Sequence, residues 1–328
     1  MKESDNKKVV KGCFVGCATA TVITLFILVL FVIWLYLPYT RYPLPAYFAK
    51  EHVLAAQFQI SMKNKTVQRA CWSLVRMLSR NRHKDVPAKY RELAVAKDMD
   101  NLAHLKQLPL FDLNFLATVN QQEDQWLFMA SVPAQGKLCQ LLFNLSTIFI
   151  PQRSKRFING ALVITRDGTR GFSLFKGHGL MGQIEPTLAL ATKVIAKGPN
   201  EPKVDNFVAK HWPKGGRLVS LAIDNRFCTF DRIVKEETNF IGVAAIAQML
   251  GLNEMGVVGD FYLKKPMNKL EFERWLRKAT DTLLPDPFAI DIKKIEQYKG
   301  YYRATLSVKG ISTAVDQLEE ISKNPKAQ

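Results

Sequence analysis

The run with the sharpest chemical meaning is Gly177-His-Gly-Leu-Met-Gly182, which fits G-x-G-x-x-G. Where such a run follows a strand and opens a helix, its glycines let backbone amides approach a pyrophosphate at the helix amino terminus, so nucleotide binding is one reading of it. The surroundings argue against that reading. The preceding run Phe172–Phe175 has the look of the second arm of a hairpin. The region about 20 residues on, where a strand should carry an acidic ribose ligand, is Gly198-Pro-Asn-Glu-Pro-Lys203, with Glu201 but no strand pattern. A glycine loop without a cofactor fits better.

Other catalytic patterns are absent or generic. The five His residues, at 52, 83, 104, 178 and 211, make no H-E-x-x-H, and there is no C-x-x-C and no G-x-S-x-G, so neither a metal site nor a cofactor is expected. Asp224, Asp231 and Asp260 fall near strand ends and have the chemistry for proton transfer, although turn capping is the plainer role. Cys71, Cys139 and Cys228 allow one disulfide plus a free thiol, or none; the first two sit on apolar helix faces, where a thiol acts as a small hydrophobe. The pattern favours non-catalytic binding or scaffolding. The competing class is an envelope hydrolase or transferase whose residues converge only in the fold.

Charge says more about partners. The chain of 328 residues carries 46 Lys and Arg against 29 Asp and Glu; beyond residue 37 the figures are 42 and 27, a net +15. A basic surface concentrates anionic lipid, envelope polyanions or an acidic face of a membrane-protein partner. The best candidates for an anionic partner are the helical face bearing Arg69, Arg76 and Arg80, continued by Arg82 and Lys84, and the run Arg153, Lys155 and Arg156. Aromatic platforms are not interleaved with these residues, which argues against a nucleic-acid module.

Gly12–Leu37 is the longest apolar stretch and contains no Asp, Glu, Lys, Arg or His. As a helix its 26 residues would reach about 39 Å against roughly 30 Å of hydrocarbon, which predicts a single transmembrane helix in contact with the lipid bilayer. Lys2, Lys7, Lys8 and Lys11 precede it, whereas Arg41 and Lys50 follow, so the amino terminus is expected in the cytoplasm and the remainder outside it. Gly12, Gly16, Ala20 and Thr24 recur every fourth residue, a small-residue face through which two such helices would self-associate. The expected organisation is a basic tail over 1–11, the span over 12–37, a Pro-containing linker over 38–46 and a globular region over 47–328, with a division into 47–150 and 155–328 as the alternative to one unit.

Within that region the expected fold class is α+β, mixed but largely antiparallel. Four strand-turn-helix units, candidates for repeats, start near residues 57, 128, 261 and 304. Asn268 with Glu271 forms a capping-box signal, and Asp167-Gly168 between Ala161–Thr165 and Gly171–Phe175 signals a hairpin. Arg217–Ile223 reads as a strand. Thr238–Leu250 is apolar nearly all round and reads as a buried helix.

Overall fold

The computed structural model describes residues 24–35, 37, 39, 47–48, 51–61, 64–105, 112–121, 125–131, 136–198, 206–213, 218–283 and 286–323. In chain order the strands are β1 (His52–Ser61), β2 (Asp112–Asn120), β3 (Trp126–Ser131), β4 (Lys155–Ile158), β5 (Ala161–Thr165), β6 (Arg170–Phe175), β7 (His178–Gln183), β8 (Val219–Asp224), β9 (Phe240–Met249), β10 (Glu254–Leu263), β11 (Ala289–Tyr298) and β12 (Tyr301–Lys309). The helices are α1 (24–35), α2 (Lys65–Arg82), α3 (Ala88–Leu105), α4 (Gly136–Ser146), α5 (Ala189–Lys197), α6 (Phe207–Lys210), α7 (Thr229–Val234), α8 (Lys269–Leu283) and α9 (Ile311–Lys323).

All twelve strands join one sheet in the order β11-β12-β10-β9-β8-β1-β2-β3-β7-β6-β5-β4, and every pairing is antiparallel. Residues paired across strands share a face. The register can therefore be followed across the sheet along Val258, Ile246, Ser220, Gln57, Leu116, Met129, Leu180, Ser173 and Val163. In the β2–β7 half this face is buried: Leu116, Met129, Leu180 and Val163 pack with Leu188, Ala191, Val194 and Ile195 from the turn before α5 and from α5 itself. The opposite face is buried in the other half. Phe240, Phe261, Tyr302 and Ala304 pack against Phe272 and Leu276, which α8 presents four residues apart.

The covering layer thus changes sides in mid-sheet. Only a strand buried on both faces can stand at the change, and β8 does so: Ala222 belongs to one core and its neighbour Ile223 to the other. Beside it, β1 places Ala55 in the first core and Leu54 against the second. Ala55 and Ala222, directly paired, are both fully buried.

The connection from β8 to β9 is held by Asn225, which is fully buried. Its amide nitrogen donates to Asp231 at 2.8 Å, to Thr238 at 3.2 Å and to the Phe240 carbonyl at 2.9 Å. Its oxygen accepts from the Phe230 and Asp231 amides at 2.8 and 3.1 Å, which satisfies donors at the start of α7. Burial alone would raise the Asp231 pKa, yet hydrogen bonds from Thr238 and Asn225, with Lys264 3.8 Å away, leave it lowered.

Several expectations need correction. The fold is α+β, but among the described residues its sheet is wholly antiparallel rather than mixed, and the expected transmembrane helix is not found among them. Among the described residues no helix is long and apolar enough to cross a membrane. Of the expected span, residues 24–35 are described as helix α1, while 12–23 and 36 lie outside the described residues; the twelve described helical residues reach about 18 Å, against roughly 30 Å of hydrocarbon. Gly12, Gly16 and Ala20 of the small-residue contact face lie outside the described residues, leaving Thr24 alone of that set. Thr238–Leu250 is not a helix; it contains strand β9, and a continuous apolar run is compatible with a strand as well as with a buried helix. The four strands that open the expected units are present as β1, β3, β10 and β12, followed by α2, α4, α8 and α9.

His52 generates a stability prediction. It is 1% exposed, its Nε2 lies 3.2 Å from Thr118 Oγ1, and burial lowers its pKa to about 4. An unfolded imidazole takes up a proton near pH 6.5. Between those values the unfolded chain binds more protons, so the stability that is fully present above pH 6.5 is lost as pH falls toward 4. The loss should amount to about 3 kcal/mol. Urea unfolding at a series of pH values should show that slope, and His52→Gln should remove this part of it; an unchanged slope in the variant would refute the assignment.

Candidate functional site

The groove that stands out lies on the open face of the β8–β12 half, beneath the segment 206–213. Asn206 builds its roof. The Asn206 oxygen caps α6 by accepting from the Val208 and Ala209 amides at 2.7 and 3.4 Å, while its nitrogen donates to the His52 carbonyl at 2.9 Å. This fixes Phe207, His211 and Trp212 over the sheet. Gly242 is required below them: a Cβ there would fall 2.3 Å from the Phe207 ring and 2.6 Å from the Ile223 carbonyl.

From this segment a row of rings crosses three strands. Phe207 and His211 have centroids 4.4 Å apart, and His211 lies 4.1 Å from Tyr262. Tyr262 stacks on Tyr301 at 5.2 Å, and Tyr301 on Tyr298 at 4.8 Å with planes 7° apart. Beside the row, Arg303 forms a bidentate pair with Asp260, its cross-strand neighbour, at 2.7 and 2.8 Å, and its guanidinium lies 5.6 Å from the Tyr298 centroid. Ala244, Ile246 and Val258 floor the cavity, and Lys210 stands at its edge. Its volume is about 370 Å³, near the lower end for small-ligand sites and suited to one ring-sized group rather than to a dinucleotide. Burial lowers the His211 pKa, the Lys210 charge adds to that, and Asp260 opposes it; burial also raises the Tyr262 pKa.

The residues singled out in the sequence are dispersed. Asp224 is held by Arg226, Asp231 by the Asn225 cluster and Asp260 by Arg303, so each carboxylate has its own partner. No group of His, Cys, Asp and Glu suited to a metal ion occurs among the described residues. Cys71, Cys139 and Cys228 are free thiols.

The basic set on α2 is largely engaged within the protein. Arg69 reaches Asp316 at 2.5 Å and Glu319 at 2.7 Å on α9, and Arg80 pairs with Glu92 at 3.0 Å and donates to the Ser322 carbonyl at 2.7 Å. Arg82 lies 4.0 Å from Asp98; Arg76 is half-buried and Lys84 exposed. Arg153, Lys155 and Arg156 sit in the turn before β4 and in β4 itself, at the other end of the sheet.

Gly177–Gly182 forms neither a loop nor a phosphate cradle. Lys176 and Gly177, both with positive φ, make the tight turn from β6 to β7, and the rest of the run is strand β7 between β3 and β6. Gly182 and Gly171 are directly paired, and neither has room for a side chain: a Cβ would fall 2.3 Å from the Trp126 carbonyl oxygen at Gly182 and 2.4 Å from the Val163 side chain at Gly171. The groove residues escaped detection because rings at 207, 211, 262, 298 and 301 meet only after β9, β10, β11 and β12 pair. The alternation Asp260-Phe-Tyr262, which sends the ring at 261 to the core and its neighbours outward, was the available signal.

No protein-family model matches the chain, and neither a curated protein nor a solved structure matches it.

The two glycines of β7 should respond differently to alanine. At Gly182 a Cβ would lie 2.3 Å from the Trp126 carbonyl oxygen and 3.2 Å from Leu127 Cα, whereas at Gly179 nothing approaches within 3.8 Å. Chemical denaturation should therefore show Gly182→Ala destabilising by about 2 kcal/mol or more, and Gly179→Ala within about 1 kcal/mol of wild type. Equal effects would contradict the packing role.

Proposed function

We propose that this protein is a non-catalytic binding or scaffolding domain whose groove takes an acidic polysaccharide. The observation that carries the proposal is the ring row His211–Tyr262–Tyr301–Tyr298 beside Lys210 and the Asp260–Arg303 pair. Flat rings suit the apolar face of a sugar, the paired carboxylate and guanidinium offer both acceptors and donors to hydroxyls, and Lys210 supplies a charge for a uronate or sulfate. Because both Asp260 oxygens are engaged by Arg303, that carboxylate serves recognition better than proton transfer. The net charge beyond residue 37 attracts the same class of ligand over longer range.

His211 favours a second reading, a hydrolase or transferase acting in the same groove. Its lowered pKa keeps the imidazole neutral and able to accept a proton near pH 7. That reading requires a covalent change in the bound ligand, so recovery of intact oligosaccharide after prolonged incubation excludes it.

Titration with uronate-containing, sulfated and neutral oligosaccharides, followed by the fluorescence of Trp212 and its neighbours, tests the binding proposal. Acidic oligosaccharides should bind more weakly as salt rises. Tyr262→Ala should weaken binding about tenfold, as expected for the loss of one ring contact, and Lys210→Gln should reduce the salt dependence without altering the unfolding midpoint. Failure of every acidic oligosaccharide to bind, or binding indifferent to both variants, would overturn it.

A further inference from the structure

At the opposite end of the sheet the chain exposes an apolar protrusion that the groove does not use. It consists of α4, the turn Thr147–Phe149 and strand β4, the outermost strand at this edge. Phe149 is 90% exposed, Phe157 76% and Ile148 67%, while Leu142 and Leu145 on α4 are more than half exposed. These side chains are not free ends of a loosely placed segment. Phe143 of α4 packs edge-on to Phe172 of β6 at 5.7 Å, and Gln140 accepts from the Lys176 amide at 2.8 Å, so the sheet holds the helix and directs its other face outward. Large apolar side chains gathered in one place mark a contact surface, because each gives up the free energy of leaving water.

Two observations select the occupant. The first is charge. Between Asp124 and Asp167 the sequence holds no Asp or Glu, whereas it holds Lys137, Arg153, Lys155, Arg156 and Arg166. Arg153 and Arg156 are exposed and Lys155 half-exposed, and none of the three has a carboxylate within ion-pair distance among the described residues, in contrast to Arg69 and Arg80. The second is the neighbouring surface. The ammonium of Lys137 lies 4.7 Å from the Trp34 ring and 5.7 Å from that of Tyr39, which brings the end of α1 beside α4. The side chains of α1 from Leu25 to Trp34 are also exposed and apolar. Apolar tips, a Trp and a Tyr, and a rim of unpaired cations together have the make-up of a surface that enters the headgroup region of a bilayer.

We infer that the protrusion formed by Leu142, Leu145, Ile148, Phe149 and Phe157, with Arg153, Lys155 and Arg156 at its rim, docks onto a lipid surface containing anionic phospholipid. The contact is interfacial: the rings enter the headgroup and upper acyl region, the cations pair with lipid phosphates, and no helix has to cross. It is independent of the polysaccharide groove, which lies on the other half of the sheet.

The test uses the full chain carrying Phe149→Trp, mixed with phosphatidylcholine vesicles either pure or containing phosphatidylglycerol, with brominated acyl chains as quencher. Relative to wild type, the added indole should be quenched and blue-shifted on the phosphatidylglycerol vesicles. The affinity should exceed that for pure phosphatidylcholine by roughly tenfold or more, given three cations near the surface. Combined Arg153→Gln, Lys155→Gln and Arg156→Gln should abolish the preference. An added indole that stays unquenched on anionic vesicles would overturn the inference. So would concentration-dependent self-association without lipid that Phe149→Ser removes, since the occupant would then be a second copy. The readout is local to position 149, so binding through any other part of the chain does not imitate it.

Discussion

The whole arrangement depends on the pairing of two strands that serve both cores. Where the covering layer passes from one side of the sheet to the other, β1 and β8 send neighbouring side chains into different cores, and their hydrogen-bonded register must satisfy both at once. Small side chains at the crossing, Ala55, Ala56, Ala222, Ala244 and Ala245, let both layers approach. A one-residue slip of this pair would exchange the faces of every side chain in it, so the central pairing is tightly specified. The outer strands are constrained on one side only.

That crossing also creates the two candidate surfaces. Since each half of the sheet is covered on one side, each leaves part of the other side uncovered. In the β8–β12 half the uncovered side carries Tyr262, Tyr301, Tyr298 and the Asp260–Arg303 pair, roofed among the described residues by 206–213. In the other half Phe172 and Met181, each more than 40% exposed, mark the uncovered side, and α4 shields it in part. The exposed aromatic residues are thus a consequence of the topology.

Local features were legible in the sequence, and pairings were not. The Asn268–Glu271 capping box is present, with the Glu271 amide donating to Asn268 at 2.9 Å and the Asn268 amide to Glu271 at 3.3 Å. The hairpin around Asp167-Gly168 is present as β5 and β6. Both depend on residues a few positions apart. β9 reads as a helix in the sequence because its apolar run from Phe240 to Ala247 lacks the alternation that distinguishes a strand from a buried helix. β11 went unrecognised because its register shifts between Ile292 and Lys294, breaking the alternation in mid-strand. The basic face of α2 was legible as a pattern, but its acidic partners Asp316 and Glu319 lie some 250 positions away and no local signal announces them.

The electrostatic picture is accordingly uneven. Arg69 and Arg80 tie α2 to α9 and α3, where exposed pairs contribute more to the choice of docking geometry than to stability. Arg153, Lys155 and Arg156, in and beside β4, have no carboxylate within ion-pair distance among the described residues.

The linear strand order has one more consequence. β10, which carries Asp260 and Tyr262, and β4 are nine strands apart. At about 4.8 Å per strand the sheet spans about 40 Å between them. With β4 resting on lipid headgroups, a continuous hydrogen-bonded sheet would act as a stiff outrigger, presenting the groove well clear of the surface at a reach fixed by strand count rather than by the slack of a linker.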